Sequence, residues 1–403
     1  MHIDLRPILI ALARSRTGAL LVALQIAIAL ALVVNAVYIA GQRIEKIRRP
    51  TGIDVQNTFL ISTAGFTAHF RLLPIIESDL RYLRGIPDVL AATTINAIPL
   101  YENRGIPVVA RPGEHIIPLV SGSFDIDEQG LKALGVKLIA GRNFRAEEIA
   151  SPQSYGTPAE VIITHHLAEK LFPGVSAVGR SLYMANSTPA RIIGVLDRMF
   201  SSSLNASWVN DVTLEPRRPN GASSESYYYL VRTEPGQRDR VMRIAEEHLS
   251  ASNPDRVIDW VQPLAHFERL SYAFDTLVAW FMSFLTCILI CIAALGVFGL
   301  ATFNVTARFK QIGTRRAVGA RRGDIVRYFL VENAFITAVG ITAGCVLALV
   351  VGYWLSIANQ LPRLDLYYLL GGVVVLFVVG QLAALHPAYR AAAVPPSVAT
   401  RTV

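Results

Sequence analysis

Four apolar runs limit what this chain can become. Residues 18–40, 277–303, 329–355 and 367–385 each hold about the 20 residues that carry an α-helix across a bilayer core, or more. The first run is interrupted only by Gln25 and Asn35. A secretory signal core has about 7–15 apolar residues, so this longer run reads as a retained span. Of the 403 residues, 52% are apolar and 17% charged. With a mean hydropathy of +0.41, that places the chain in the membrane class. The class is an α-helical membrane protein with four transmembrane helices.

The charge is unevenly placed. Residues 41–272 hold 25 Lys or Arg and 25 Asp or Glu, and the remainder holds 13 and 5. The whole net charge of +8 therefore sits with the spans and their short connections. Nucleic-acid binding would put a basic face on the large polar segment, so it is excluded as a function class. Much of the excess falls between the second and third spans, where residues 308–327 carry seven Lys or Arg and one Asp. Such a connection belongs on the cytoplasmic side. That places both termini inside and residues 41–272 outside.

In order, the division is as follows. Residues 1–17 read as a cytoplasmic amphipathic helix, 18–40 as the first span, and 41–272 as an extracytoplasmic domain. Residues 273–304 combine a stalk end with the second span, 305–328 form the cytoplasmic loop, and 329–355 the third span. Residues 356–366 are a short outer loop, 367–385 the fourth span and 386–403 a cytoplasmic tail. Helical spacing of Leu264, Phe267, Leu270, Phe274 and Leu277 predicts one continuous stalk helix into the second span. Asp275 falls near the outer boundary, within reach of water.

The outer domain reads as α+β. Strand-like residues 58–63, a helix over 72–83 and a strand over 89–98 make one β-α-β unit. Strand 226–231, helix 237–249 and strand 257–261 make a second. Both units are expected in one sheet, with helices on one face. Residues 105–225 read as a β-rich subdomain inserted between them. Its expected strands cover 105–110, 116–120, 136–139, 161–164, 181–183 and 191–195, with helices over 127–134 and 165–171.

Catalytic signatures are missing. The sequence has no GxxxxGK[ST] phosphate loop, no GxSxG and no HExxH. His165-His166-Leu-Ala-Glu169 is the nearest approach to a metal cluster; His166 and Glu169 sit i, i+3 on a short helix, but a third ligand is not evident and a solvated or half-buried helix face is the better reading. Cys287, Cys291 and Cys345 all lie in predicted spans, which leaves the outer domain no disulfide. Gly340 and Gly344 form a GxxxG in the third span, and Gly296 and Gly299 sit three apart in the second. These positions let helices approach closely in lipid.

The basic loop has more pattern than topology needs. Ile312, Arg315, Arg316 and Gly319 repeat at helical spacing. A turn follows over 319–323, and Asp324 is placed to N-cap the next helix. A topogenic charge cluster and a docking helix for a cytoplasmic partner both fit. Arg321, Arg322 and Arg327 also suit anionic lipid head groups.

The stretch Arg308-x-x-Gln-Ile-Gly-x-Arg-Arg-Ala-Val-Gly-Ala-Arg-Arg, followed by Ile325-x-x-x-Phe-Leu-x-Glu332, resembles the cytoplasmic signature of MacB/FtsX-type ABC transporter permeases. Phe124-Asp-Ile, Leu134-Gly-Val-Lys-Leu-Ile-Ala-Gly-Arg-Asn-Phe, and Val161-Ile-Ile-Thr with its downstream Leu-Phe-Pro-Gly and Val178-Gly-Arg resemble the extracytoplasmic core of that family. So does the ending His386-Pro-Ala-Tyr-Arg-Ala-Ala-Ala-Val-Pro-Pro.

The resemblance implies a permease subunit with no enzymatic activity of its own. A separate ABC ATPase would bind ATP and Mg2+, and this chain would bind no cofactor. The loop would be an ATPase-coupling helix of Arg308, Gln311, Ile312, Gly313, Arg315, Arg316, Ala317, Gly319, Arg321 and Arg322, with Asp324 and Glu332 at the cytoplasmic end of the third span. Implied partners are a second permease copy or paralogue, a periplasmic adaptor and membrane lipids. Implied action is mechanotransmission in the bacterial inner membrane, moving periplasmic domains to export or extract a peptide, antibiotic or lipoprotein. The alternative is a non-transporting regulator that relays an ATPase signal to a periplasmic enzyme. Gln311 departs from the family's usual Glu before Ile-Gly.

Overall fold

A computed structural model describes residues 16–65, 72–102, 105–110, 119–149, 158–184, 189–218, 227–359 and 364–393. The expected helix at the extreme N-terminus, residues 116–118 of one expected strand and the last ten residues of the tail lie outside these. The chain divides into two compact units, Arg49–Ala273 and a helical unit made of Met1–Arg48 with Phe274–Val403.

The helical unit contains α1 (Arg16–Arg48), α7 (Ala273–Ala307), α8 (Phe309–Ala317), α9 (Arg322–Asn359) and α10 (Leu366–Ala392). Helices α2 to α6 belong to the other unit. Four of the five are long and apolar enough to cross a membrane. Each outruns its apolar stretch. At about 1.5 Å per residue, the 38 residues of α9 span about 57 Å, well beyond a hydrocarbon core of about 30 Å. Helix ends therefore project into the aqueous layers.

Helix α1 is the centre of this unit, with Leu30 and Val34 fully buried. It lies against the small-residue face of α9. A Cβ on Gly340 would stand 2.7 Å from the Ala23 carbonyl oxygen, and one on Gly344 would stand 3.0 Å from the Ala27 backbone. The GxxxG is thus a backbone-to-backbone contact. Gly296 faces the Gln25 side chain, whose amide donates to the Ile292 carbonyl at 2.8 Å. Gly299 has open space where a Cβ would be, so among the described residues no neighbouring helix packs against it. Asn35 donates to Ala31 O and Ala348 O, and Asn333 donates to Gly380 O. These polar span residues tie helices together.

Asp275 departs from the expectation of a water-exposed boundary charge. It is buried, and accepts from Arg43 at 2.6 Å and Lys46 at 2.8 Å. Two cations on the last turns of α1 take the place of water. The expected continuous stalk helix is also two helices. Helix α6 (Leu264–Ser271) ends at Tyr272, whose φ of −93° and ψ of 3° leave the helical range before α7 begins.

The other unit holds β1 (Thr58–Gly65), α2 (Leu72–Gly85) and β2 (Val89–Ile95), then β10 (Tyr227–Thr233), α5 (Arg238–Ser252) and β11 (Arg256–Pro263). The four strands form one antiparallel sheet in the order β11-β1-β10-β2. The two β-α-β units are interleaved, so each has a strand of the other between its own two. This is the split β-α-β arrangement. Strand alternation puts Phe59, Ile61, Tyr229 and Val231 on one face, where Ile76, Leu80 and Leu83 of α2 and Val241, Ala245 and Leu249 of α5 cover them. Within that layer Asp79 accepts from Tyr229 Oη at 2.5 Å and pairs with Arg256.

Between β2 and β10 the chain builds a second sheet from β3 (Gly105–Val109), β4 (Leu119–Ile126), β5 (Leu138–Gly141), β6 (Glu160–Thr164), β7 (Ser181–Met184), β8 (Pro189–Leu196) and β9 (Val212–Pro216). Its order is β5-β8-β6-β9-β4-β3-β7, and β7 also pairs with β8. Six strands therefore close into a ring, and β5 pairs with the Gly194–Leu196 end of β8, on the edge whose other end pairs with β7. Short helix α3 (Gly130–Leu134) lies against β2 and β10 of the first sheet, whereas α4 (His165–Leu171) lies on β6 and β8, where Leu167 joins a core of Val161, Ile163, Leu182 and Ile192. Strand β9 is absent from the sequence reading. It has the five residues Val-Thr-Leu-Glu-Pro, with no clear alternation to mark it.

Candidate functional site

The chain between α7 and α9 is a short helix and a turn whose ends are locally encoded. Helix α8 ends in a Schellman motif. Gly319 N–H donates to Arg316 O at 3.1 Å and Ala320 N–H to Arg315 O at 3.0 Å. Gly319 has φ of +103°, a left-handed conformation that glycine adopts without a Cβ clash. Asp324 is not the N-cap of α9. The helix begins at Arg322, and the Asp324 carboxylate in its first turn accepts the Arg321 N–H at 3.0 Å. This is the back-reaching half of a capping box, three positions further in than expected.

The loop residues sort into two sets. One set is anchored. Ile312 and Gly313 are buried, and Ile312 packs with Val305, Ile325, Phe329, Ala388 and Ala391. Arg308 donates to Glu332 Oε2 at 2.8 Å, with side-chain exposures of 15% and 3%. Arg316 donates to the Ala392 carbonyl at 2.8 Å, satisfying an orphan acceptor in the last turn of α10. These residues fix α8 to the ends of α9 and α10.

The other set is exposed: Gln311, Arg315, Ala317, Gly319, Arg321 and Arg322. Arg315 lies over the Tyr328 ring, its guanidinium carbon 4.9 Å from the centroid, so its charge is held at a defined place. The exposed set extends to Phe309, Lys310 and Val318, the last 87% exposed. Helical spacing indicates that α8 has two faces. It does not indicate which face would be covered, because the cover comes from α10, about 80 residues away in sequence.

Among the described residues, no group of three or more His, Cys, Asp or Glu side chains is placed to hold a metal ion. His166 is held by Asp211, Nδ1 to Oδ1 at 2.6 Å, and Lys170 donates to the other oxygen at 2.7 Å. The His165, His166, Glu169 segment is thus a helix face docked on a buried carboxylate.

Two family models cover most of the chain. One, described as a MacB-like periplasmic core domain, matches residues 19–247, more than half of it. The other, an FtsX-like permease C-terminal region, matches residues 283–396. The chain is 27% identical over 250 residues to the pyoverdine export ATP-binding/permease protein PvdT of Pseudomonas aeruginosa, covering 58% of this chain and 36% of that protein. It is 26% identical over 298 residues to the macrolide export ATP-binding/permease protein MacB 1 of Aeromonas hydrophila, covering 71% and 44%. It thus spans less than half the length of either relative. A crystal structure of the periplasmic region of MacB from Actinobacillus actinomycetemcomitans aligns at a TM-score of 0.34 and 16% identity, over 56% of this chain and 97% of that one. With the periplasmic-core and permease models matched in order along one chain of four apolar helices, this chain belongs to the MacB/FtsX-type family of ABC transporter permeases.

Proposed function

We propose that this chain couples ATP hydrolysis in a separate ABC ATPase to movement of its Arg49–Ala273 unit on the far side of a bacterial inner membrane, for export or extraction of a substrate such as a peptide, antibiotic or lipoprotein. The observation that carries this reading is the two-sided α8. One face is bolted to α9 and α10 through Ile312, Arg308–Glu332 and Arg316. The other presents Gln311, Arg315, Ala317, Val318, Gly319 and Arg321 to solvent. A purely topogenic cluster needs only charge. Three separate tethers make α8 a rigid lever, so force applied to its outer face reaches two spans at once.

In this reading ATP and Mg2+ bind the ATPase, both termini lie with it, and the permease works as a dimer with a second copy or a paralogue. The relatives named for pyoverdine and macrolide export favour an exported substrate. Co-purification from native membranes tests the docking. Arg315→Glu with Arg321→Glu is expected to abolish recovery of the ATPase, and Arg243→Glu, on an exposed position of α5, to leave it intact. Unchanged recovery with the first pair would refute the assignment.

A further inference from the structure

At the α8 end of the helical unit, α9 and α10 leave a groove of about 670 Å3. That size lies within the range of about 300–1,000 Å3 typical of small-molecule sites. Its walls are apolar, with Leu330 on α9 and Phe377 on α10. Its polar groups are few and cationic or hydrogen-donating: Arg322 and Arg327 from the first turns of α9, Tyr389 of α10, and the Gln381 amide. Gln381 Nε2 is buried with no hydrogen-bond partner among the described residues. A buried amide without an acceptor costs free energy, so a ligand that supplies one is favoured.

We infer that this groove is a site for an anionic phospholipid of the leaflet that faces α8. The phosphate sits on Arg322 and Arg327, a glycerol ester carbonyl accepts from Gln381 Nε2, and an acyl chain lies along Leu330 and Phe377. Charge decides between this occupant and a second copy of the chain. A two-fold contact through the groove would set arginines against arginines. The carboxylates that could relieve this are too few. Glu332 is buried against Arg308, and Asp324, exposed and accepting the Arg321 N–H, is one negative charge among Arg321, Arg322 and Arg327. Asp275, with its partners Arg43 and Lys46, is at the opposite end of the spans. A lipid brings both the negative charge and the apolar tail that this trough lacks, and basic pockets between spans are a general means of holding such head groups.

The test is native mass spectrometry of the full chain in detergent, titrated with phosphatidylglycerol or with phosphatidylcholine. One tightly retained phosphatidylglycerol per chain is expected, with phosphatidylcholine bound far more weakly. Near-surface arginines contribute about five-fold each, so Arg322→Ala with Arg327→Ala should weaken retention about thirty-fold. Arg315→Ala with Arg321→Ala removes the same charge outside the groove and should change retention less than two-fold. Leu330→Trp, which fills the trough, should also expel the lipid, and Gln381→Leu should weaken it while leaving the arginines in place. Equal losses in the two arginine pairs would reduce the effect to diffuse attraction and overturn the site. So would equal binding of phosphatidylcholine, displacement by inorganic phosphate at tens of millimolar, or a Leu330→Trp chain that loses a dimer but keeps its lipid.

Discussion

Arg308 and Glu332 form a salt bridge of 2.8 Å between the start of α8 and the body of α9, nearly sealed from solvent. A buried pair is weak evidence of net stabilisation, but losing one partner strands the other charge. Glu332→Ala is therefore expected to destabilise the chain by about 3–5 kcal/mol. Arg308→Met with Glu332→Leu, which removes both charges, should recover most of the loss. Thermal unfolding in detergent reads both. A double variant as unstable as the single one would mean that Glu332 acts through some partner other than Arg308.

Small residues in the spans make a sharper contrast. Gly340→Ala places a methyl 2.7 Å from the Ala23 carbonyl oxygen, and backbone cannot step aside cheaply. Overpacking of this kind costs about 1–3 kcal/mol. Gly299→Ala meets nothing within 4 Å and should leave the unfolding temperature unchanged or raise it. The same assay separates them, and equal effects would contradict the close approach of α1 and α9.

Much of this architecture is legible along the chain because its signals are local. The apolar runs, the turn at Gly319 and both β-α-β units depend on residues within a few turns of one another. What is hidden depends on distant partners. Residues 58–63 look the same whether β1 pairs with β2 or, as found, with β10 through contacts such as Ile61 to Tyr229. Asp275 looks like a boundary charge until Arg43 and Lys46 arrive from over two hundred residues away. Arg308, Ile312 and Arg316 read as one patch with Arg315 and Arg321. Only the placement of α9 and α10 divides them into anchored and exposed residues.

The buried Asp79 should leave a mark on stability against pH. Burial raises its carboxyl above the ordinary 3.8, against the lowering by Tyr229 and Arg256. The folded unit then holds this proton more tightly than the unfolded chain does. The stabilising contribution is complete below the ordinary value and is lost as pH rises through the raised one. The stability of the unaltered chain relative to Asp79→Asn is thus expected to fall as pH rises through that window. Denaturant titrations at stepped pH measure the difference, and a difference that rises with pH would reverse the assignment.

Ile312 offers a test of the α8 tether that needs no partner. Its side chain is the apolar contact of α8 with Val305, Phe329 and Ala388, and Arg316 supplies a polar contact with Ala392. Truncating a buried isoleucine to alanine costs about 2–5 kcal/mol. Helix α8 has only nine residues, too few to be stable alone in water. The loss should therefore appear as local release rather than as unfolding of the spans. Amides of α8 are expected to exchange at least about thirty-fold faster in Ile312→Ala, the factor that corresponds to about 2 kcal/mol, while amides in the middle of α1 and α9 keep their protection. Arg316→Ala should act in the same direction by a smaller factor, since one hydrogen bond from a charged group contributes about 1.5–3 kcal/mol at most. Arg321→Glu, on the exposed side, should leave exchange in α8 unchanged. If Ile312→Ala did not speed α8, or if Arg321→Glu sped it equally, the division of the loop into an anchored and a presented face would fail.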